Sequence, residues 1–135
     1  MKDIRPALRE FLLGDSAIVA LVVARVYPVV LPQGTKLASV VYTRISGEGD
    51  YHMQGASGYV RPRVQIAAWA PTVDGAATLA NAVKNRIDGY SGEMGTGSNI
   101  VRVQGVFQAV EREMYDDIVQ MYAVMRDFFI HYEEL

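Results

Sequence analysis

The sequence predicts an α+β fold: a mostly antiparallel four-stranded sheet with helices packed on one face, in the order α-α-β-β-α-β-β. Three observations lead to this prediction. Two helical patterns open the chain, four later segments alternate apolar with polar residues, and a third helical pattern separates the first two of these segments from the last two. The 135 residues are 50% apolar and 21% charged, which fits one globular domain over residues 1–135.

Both opening segments have the features of short helices. Residues 3–13 place their apolar side chains on one stripe, at Ile4, Leu8, Phe11 and Leu12. Asp3 can cap the start of this helix, and Gly14 ends it. A second helix is predicted from Ser16 to about Ala24, with Asp15 or Ser16 as its cap. It is apolar nearly all round, so we expect it to be largely buried.

The next segments predict two strands that flank a long loop. Residues 26–37 contain two prolines and a Gln-Gly pair, which indicate an extended crossing followed by a turn. Residues 38–46 are rich in β-branched types and predict a strand. Residues 47–58 hold four glycines without periodicity, so we expect a loop. Residues 59–70 predict the second strand, with alternating apolar positions at Val64, Ile66 and Ala68.

A longer helix separates these strands from the final pair. Thr72 is its predicted cap, and Gly89 closes it. The segment 73–88 carries its apolar stripe at Ala76, Leu79, Ala80, Val83 and Ile87. Residues 90–98 are predicted to form a loop.

The chain ends in two long strand patterns, over residues 99–114 and 118–132, with a turn at Asp116 and Asp117. Strands of this length exceed the usual five or six residues. Such a hairpin either extends past the body of the domain and pairs with a neighbour, or has irregular ends. Trp69 and Tyr122 are most simply core residues.

Composition and motifs exclude several classes of function. The absence of cysteine excludes disulfides, thiolate metal sites and cysteine nucleophiles. A net charge of −2 argues against a dedicated nucleic-acid binder. The longest apolar run, residues 17–24, is far shorter than the roughly 20 residues that span a bilayer, so we expect no membrane contact. The glycine-rich segments 55–58 and 92–99 match neither a phosphate loop nor a nucleophile elbow.

The titratable residues predict no catalytic, metal or cofactor site. His52 and His131 are far apart in the sequence and lack the close spacing of paired zinc ligands. Two acidic pairs could in principle supply catalytic carboxylates, namely Asp116 with Asp117 and Glu111 with Glu113. The first pair suits a turn, and the second alternates around Arg112 as in a solvated or inter-subunit strand.

A group of arginines is the most distinctive polar feature. Arg61 and Arg63 are expected on one face of a strand, with Arg44 on its hairpin partner. With Tyr42 and Tyr59 nearby, this strip could contact nucleic acid. The acidic residues beside it favour charge pairing between copies of the same chain, or a plain solvated surface.

Several of these segments together resemble a known family. Residues 40–47 are Val-Val-Tyr-Thr-Arg-Ile-Ser-Gly, and residues 51–58 are Tyr-His-Met-Gln-Gly-Ala-Ser-Gly. Residues 61–70 are Arg-Pro-Arg-Val-Gln-Ile-Ala-Ala-Trp-Ala, and the pattern Ala-x-x-Leu-Ala-x-x-Val follows within the long helix. With the upstream Val-Tyr-Pro-x-x-Leu-Pro-Gln-Gly, the chain resembles the tail-completion (tail-terminator) proteins of long-tailed phages and gene transfer agents, from about residue 5 to 130.

The resemblance implies a virion structural protein and no enzyme. Family members form a hexameric ring at the head-proximal end of the tail, after assembly in the host cytoplasm. The ring caps the tail tube and joins it to the head connector, while DNA passes through without specific binding. The family offers no catalytic residues to carry over, and its sheet and loops carry the ring surfaces. The candidate subunit, tube or connector contacts are therefore Arg44, Glu48, Asp50, Tyr51, His52, Arg61, Arg63 and Gln65.

Two alternatives stay open at this point. Another neck or tail component, such as a head-closure or tube-like subunit, would form a different oligomer or an open polymer. A small hydrolase would use Asp116, Asp117 or a glutamate, and would need a pocket where carboxylates converge. The missing catalytic constellation disfavours the hydrolase.

The arginine hypothesis predicts a mutational outcome. If Arg61 and Arg63 pair across subunits, reversing both to glutamate blocks assembly and leaves the monomer folded. Particle yield and the circular dichroism of the free variant measure these two effects. A normal particle yield would contradict the hypothesis.

Overall fold

A computed structural model describes residues 3–46, 49–52 and 55–134, and for 49–52, 55–59 and 134 it describes the backbone alone. Its helices are α1 (Arg5–Leu13), α2 (Ser16–Val22) and α3 (Val73–Ile87), with a 3-10 turn at Gly97–Asn99. Its strands are β1 (Val26–Pro28), β2 (Ser39–Ser46), β3 (Gly49–His52), β4 (Gly55–Val60), β5 (Arg63–Ala70), β6 (Gly92–Met94), β7 (Val101–Asp116) and β8 (Met121–Glu134).

The first helix lies where it is predicted, but Ile4 and not Asp3 is its N-cap residue. The Asp3 carboxylate accepts a hydrogen bond from the Arg5 backbone N–H at 3.0 Å, which supports the start of α1. Hydrogen bonds from Arg5 hold the pKa of the Asp3 carboxyl below its usual value. The predicted stripe of Leu8, Phe11 and Leu12 is buried.

The second helix differs from its prediction. Asp15 caps α2 as expected, accepting from the Ala17 N–H at 3.2 Å. Ile18 and Val22 are its two buried residues, while Leu21 is exposed. The expectation of a largely buried helix is therefore wrong. One side of α2 packs on the sheet and α3, and no part of the described chain covers its outer side.

The third helix anchors the layer of helices to the sheet. Thr72 caps α3, because its hydroxyl accepts a hydrogen bond from the Gly75 N–H at 3.0 Å. The predicted stripe is buried as a whole and packs against β5 and β8. Its small residues, Ala76 and Ala80, let the helix axis lie close to the strands.

The four predicted strands form the centre of the sheet. They run antiparallel in the order β2-β5-β8-β7. The α+β class and the helices on one face are confirmed, but the count of four strands is wrong, since eight strands pair in the described chain. The additional strands are short and add to the margins, with β1 parallel to β2 and β6 antiparallel to β7. Each of these strands is held by backbone pairing with another strand. A segment of three to six residues is too short to show a strand pattern in the sequence.

The segment predicted as a loop over 47–58 contains two further strands. β3 and β4 pair antiparallel, with Tyr51 opposite Ala56. β4 then pairs with the end of β8 through Tyr59 and Val60. The strand predicted over 59–70 is therefore two strands, β4 and β5, divided at Pro62. Proline has no N–H for the ladder, and its carbonyl instead accepts from the Ile130 N–H at 3.1 Å.

The two faces of the sheet have different surroundings. The helix-side face carries Val64, Ile66 and Phe128 into the main core. The opposite face, which we call the helix-free face, carries Gln65, Trp69 and their cross-strand neighbours. Trp69 is half-buried there, so its assignment to the core is wrong, whereas the half-buried Tyr122 does pack against the core.

The long hairpin is regular and does not extend past the sheet. β7 and β8 pair from Val101 opposite Glu134 to Asp116 opposite Met121, with two irregularities in register. β8 lies in the middle, since β5 and β4 pair along its other side. The hairpin neither extends past the sheet nor has irregular ends, and its pairing with a neighbouring copy stays a prediction. Beyond the three residues that pair with β6, β7 is an edge strand.

The cap of α3 gives a stability prediction. Thr72→Ala removes the acceptor of the Gly75 N–H, so we expect the free energy of unfolding to fall by about 1 kcal/mol. Urea denaturation measures the change. Thr72→Ser, which keeps the hydroxyl, should stay near the parent protein, and an equal loss in both variants would contradict the capping role.

Candidate functional site

The predicted contact residues do not form a single strip. Arg63 and Gln65 lie on the helix-free face of β5. Arg44 lies on the helix side, because it is opposite Val64, one residue out of phase with Arg63. Arg44 therefore lies on the strand that pairs with β5, as expected, but it does not share a face with Arg63. A bulge between Arg44 and Ser46 shifts the register at this end of β2.

Arg63 is held within its own chain. Its guanidinium donates to the Oδ2 atom of Asp127 from Nε at 2.9 Å and from Nη2 at 2.6 Å. Asp127 is 5% exposed, and the guanidinium lies 5.6 Å from the centre of the Phe129 ring. A buried carboxylate with one cationic partner depends strongly on that partner. The main role of Arg63 is thus to neutralise Asp127.

Gln65 borders a shallow apolar groove on the helix-free face. Its side-chain amide donates to the Met125 sulfur at 2.9 Å. The groove has a volume of about 150 Å³ and is lined by Val29, Leu31, Val41, Thr43, Gln65, Ala67, Trp69 and Met125. This face therefore presents large apolar side chains beside a neutralised ion pair.

The remaining predicted contacts lie at the end of the sheet where β3 and β4 project. Arg61 lies in the link between β4 and β5, outside either strand. Asp50, Tyr51 and His52 form part of β3 by their backbone, and Glu48 lies outside the described residues. β4 pairs with β8 at two positions, so the rest of the β3–β4 hairpin extends beyond the end of β8.

Tyr42 and Arg63 do not form a nucleic-acid strip, and the side chain of Tyr59 lies outside the described part of the chain. Tyr42 is 4% exposed and points to the helix side, where burial raises the pKa of its hydroxyl. It therefore cannot stack on a base beside Arg63, which lies on the other face.

One carboxylate of each acidic pair has a structural partner. The Asp116 carboxylate accepts from the backbone N–H groups of Ile118 and Val119 at 2.9 and 3.2 Å, which confirms its predicted place in the turn. Glu111 forms an ion pair with Arg126 at 2.6 Å. No group of three or more potential metal ligands is found among the described residues.

Arg126 is not among the residues that the sequence singled out. This side chain is 9% exposed and donates to the Ala80 carbonyl at 2.8 Å, to Asn81 at 3.0 Å and to Glu111. It joins α3, β8 and β7 through one guanidinium. The signal was present as a charged pair, Arg126 and Asp127, inside an apolar strand.

The sequence also did not predict that the outer half of β7 is exposed. Every residue from 109 to 115 is exposed, so both faces of the strand contact solvent there. The exposed large apolar side chains of β7 are Phe107, Val110, Met114 and Tyr115. These apolar residues alternate with polar and charged ones. Because an ordinary half-buried strand has the same pattern, the sequence did not indicate that they are exposed.

Both the sequence and the fold are similar to those of known proteins. The sequence profile of the family described as Tail completion protein gp17 matches residues 6–132. One solved structure, a chain in the virion of a native gene transfer agent (GTA) particle, superimposes with a TM-score of 0.74 at 18% identity, covering 93% of this chain and 91% of that one. No curated protein sequence matches the chain. No helix among the described residues is long and apolar enough to cross a membrane.

Because Arg63 pairs with Asp127, we expect substitution of Arg63 to destabilise the monomer itself. Arg63→Met leaves the buried Asp127 without its cation, and we expect the free energy of unfolding to fall by about 2 kcal/mol. Urea denaturation measures the loss, with the exposed Arg44→Met as the control that changes it by under about 0.5 kcal/mol. Equal stabilities would contradict the role of Arg63. Reversal of Arg61 and Arg63 together should also destabilise the monomer, so it no longer isolates an assembly contact.

Proposed function

Because this chain belongs to the family described as Tail completion protein gp17, we propose that it is the tail terminator of a long-tailed phage or a gene transfer agent. The match over residues 6–132, from the first turn of α1 almost to the end of β8, is the observation that carries this proposal. The protein is a structural component of a phage-type tail. Its proposed state is a hexameric ring of single-domain subunits at the head-proximal end of the tail.

The ring caps the tail tube because its two sides differ. One side fits the last ring of tube subunits, and the other offers no surface on which another tube subunit can add. That second side contacts the head connector. The fold supports such a role, since a sheet with helices on one face presents two chemically different surfaces to two partners.

The projecting β3–β4 hairpin suits a contact with the tube, the connector or a neighbouring subunit. It lies at one end of the sheet, beyond the last residues of β8. Asp50, Tyr51 and His52 belong to it, and Arg61 lies at its base. Exposed strands at the end of a rigid body can pair with a partner through their backbone.

A ring of this chain suits the passage of DNA. The net charge is −2, so a lumen lined by this protein would repel phosphates weakly and would not retain the duplex. DNA contact is thus proposed as passage without specific binding.

The structural roles of the carboxylates support a function without catalysis. Asp116 stabilises a turn, and Glu111 compensates the buried Arg126. A hydrolase would need two such groups directed into one pocket. A cavity of about 250 Å³ between α3 and the β7–β8 hairpin has Glu113 as its one lining carboxylate.

Location in the particle tests the proposal. An epitope tag is added to the chain in particles that carry it as their sole copy, and gold-labelled antibody is imaged by negative-stain electron microscopy. We expect label at the head–tail junction, in an amount equal to one ring per particle. Label along the whole tail would assign a tube subunit, and particles without label would overturn a structural role. An antibody against the major tail protein is the positive control for access.

A further inference from the structure

Exposed apolar side chains concentrate on two separate edges of the sheet. Of the twelve large apolar side chains exposed in the described chain, five lie within residues 107–118 and six within residues 21–46. The first group comprises Phe107, Val110, Met114, Tyr115 and Ile118. The second comprises Leu21, Val23, Val29, Val30, Leu37 and Ile45. We call residues 107–118 the β7 edge surface and residues 21–46 the β1–β2 edge surface.

The two surfaces carry opposite charge. Residues 107–118 contain four carboxylates and one arginine, whereas residues 21–46 contain three cations and no acidic residue. Arg25 donates to the carbonyls of Ala38 and Leu21, and Arg44 is exposed. Lys36 contributes less to this edge, because its ammonium reaches the Val119 carbonyl of the hairpin turn. Apolar area combined with charges of opposite sign is the composition of two surfaces that fit each other.

The backbone of the β7 edge is available for pairing. β6 pairs with β7 at residues 101–103, and the Gly89 N–H donates to the Val106 carbonyl at 2.9 Å. Beyond Val106, no strand of the described chain pairs with the outer side of β7. Edge strands of monomeric proteins are usually short, covered or interrupted by proline. This edge is long, uncovered and free of proline, which is typical of a strand that another chain pairs with.

The strand edges of the two surfaces do not pair within one chain, although the Lys36 ammonium reaches the Val119 carbonyl beside the β7 edge surface. The strands β2, β5 and β8 lie between β1 and β7. Contact between different patches of two copies is head-to-tail, and such contacts close into a ring when the rotation between copies allows. Glu113 and Arg44 point to the same side of the sheet. Glu113 is opposite Val124 and Arg44 is opposite Val64, and both of these valines face the helices. In a sheet continued from one copy to the next, the Glu113 and Arg44 side chains would share a face.

We propose that neighbouring subunits join edge to edge, with the β7 edge surface of one copy against the β1–β2 edge surface of the next. The occupant of each edge is thus a second copy of this chain. This inference rests on the proposed ring and adds which surfaces form it.

The absence of cysteine allows a direct test by crosslinking. The variant Arg44→Cys/Glu113→Cys is assembled into particles as the sole copy of the chain and treated with a short bis-maleimide reagent. We expect a ladder of covalent oligomers on denaturing gels that ends at the closed ring. The control variant Arg44→Cys/Asn85→Cys has its second cysteine on the exposed side of α3. The proposed contact should give about tenfold more crosslinked chain than this control, because crosslinking requires close approach of the two sulfurs.

Each result has a distinct meaning. A ladder in the first variant supports the edge-to-edge contact. Crosslinked dimers from Arg44→Cys alone or Glu113→Cys alone would show identical surfaces meeting, and would overturn it. Junction label on these particles without crosslinking above the control would also overturn it, while leaving the terminator role intact. Absence of the parent chain from the junction would instead overturn the proposed function itself.

Discussion

Two adjacent buried charges on the central strand constrain the rest of the structure. β8 is paired on both sides, so Arg126 and Asp127 have almost no access to water, at 9% and 5% exposure. Because successive side chains point to opposite faces, the two charges need separate partners on the two sides of the sheet. Arg126 binds α3 and β7 on the helix side, and Asp127 binds Arg63 of β5 on the other. These two clusters therefore set how α3, β5 and β7 lie relative to β8.

The elements whose signal is local could be predicted from the sequence. Caps such as Asp15 and Thr72, the stripe of α3 and the two long strands all depend on neighbouring residues. The short strands β1, β3, β4 and β6 could not, because segments of three to six residues carry little alternation of their own and become strands by backbone pairing with a neighbouring strand. At the candidate site, the sequence singled out Arg63 but did not show that this residue neutralises Asp127. Its partner lies 64 residues away, and the cross-strand register alone brings them together.

The central position of β8 also has a consequence for assembly. Since β8 occupies the middle, β7 has no pairing strand on its outer side beyond the three residues that pair with β6. A monomer would be expected to protect such an edge. In a closed ring every copy contributes one β7 edge and one β1–β2 edge, so both of these edges are covered in every copy. Closure also strengthens individually modest contacts, because each copy is held by two neighbours.

The most direct test of this account is a cryo-electron microscopy reconstruction of the head–tail junction at a resolution that separates strands. The account predicts a closed ring of this chain between the tail tube and the head connector, in which β7 of each copy lies beside β1 and β2 of the next. A junction without this chain, or a ring in which the β7 edge faces solvent or the tube, would contradict it.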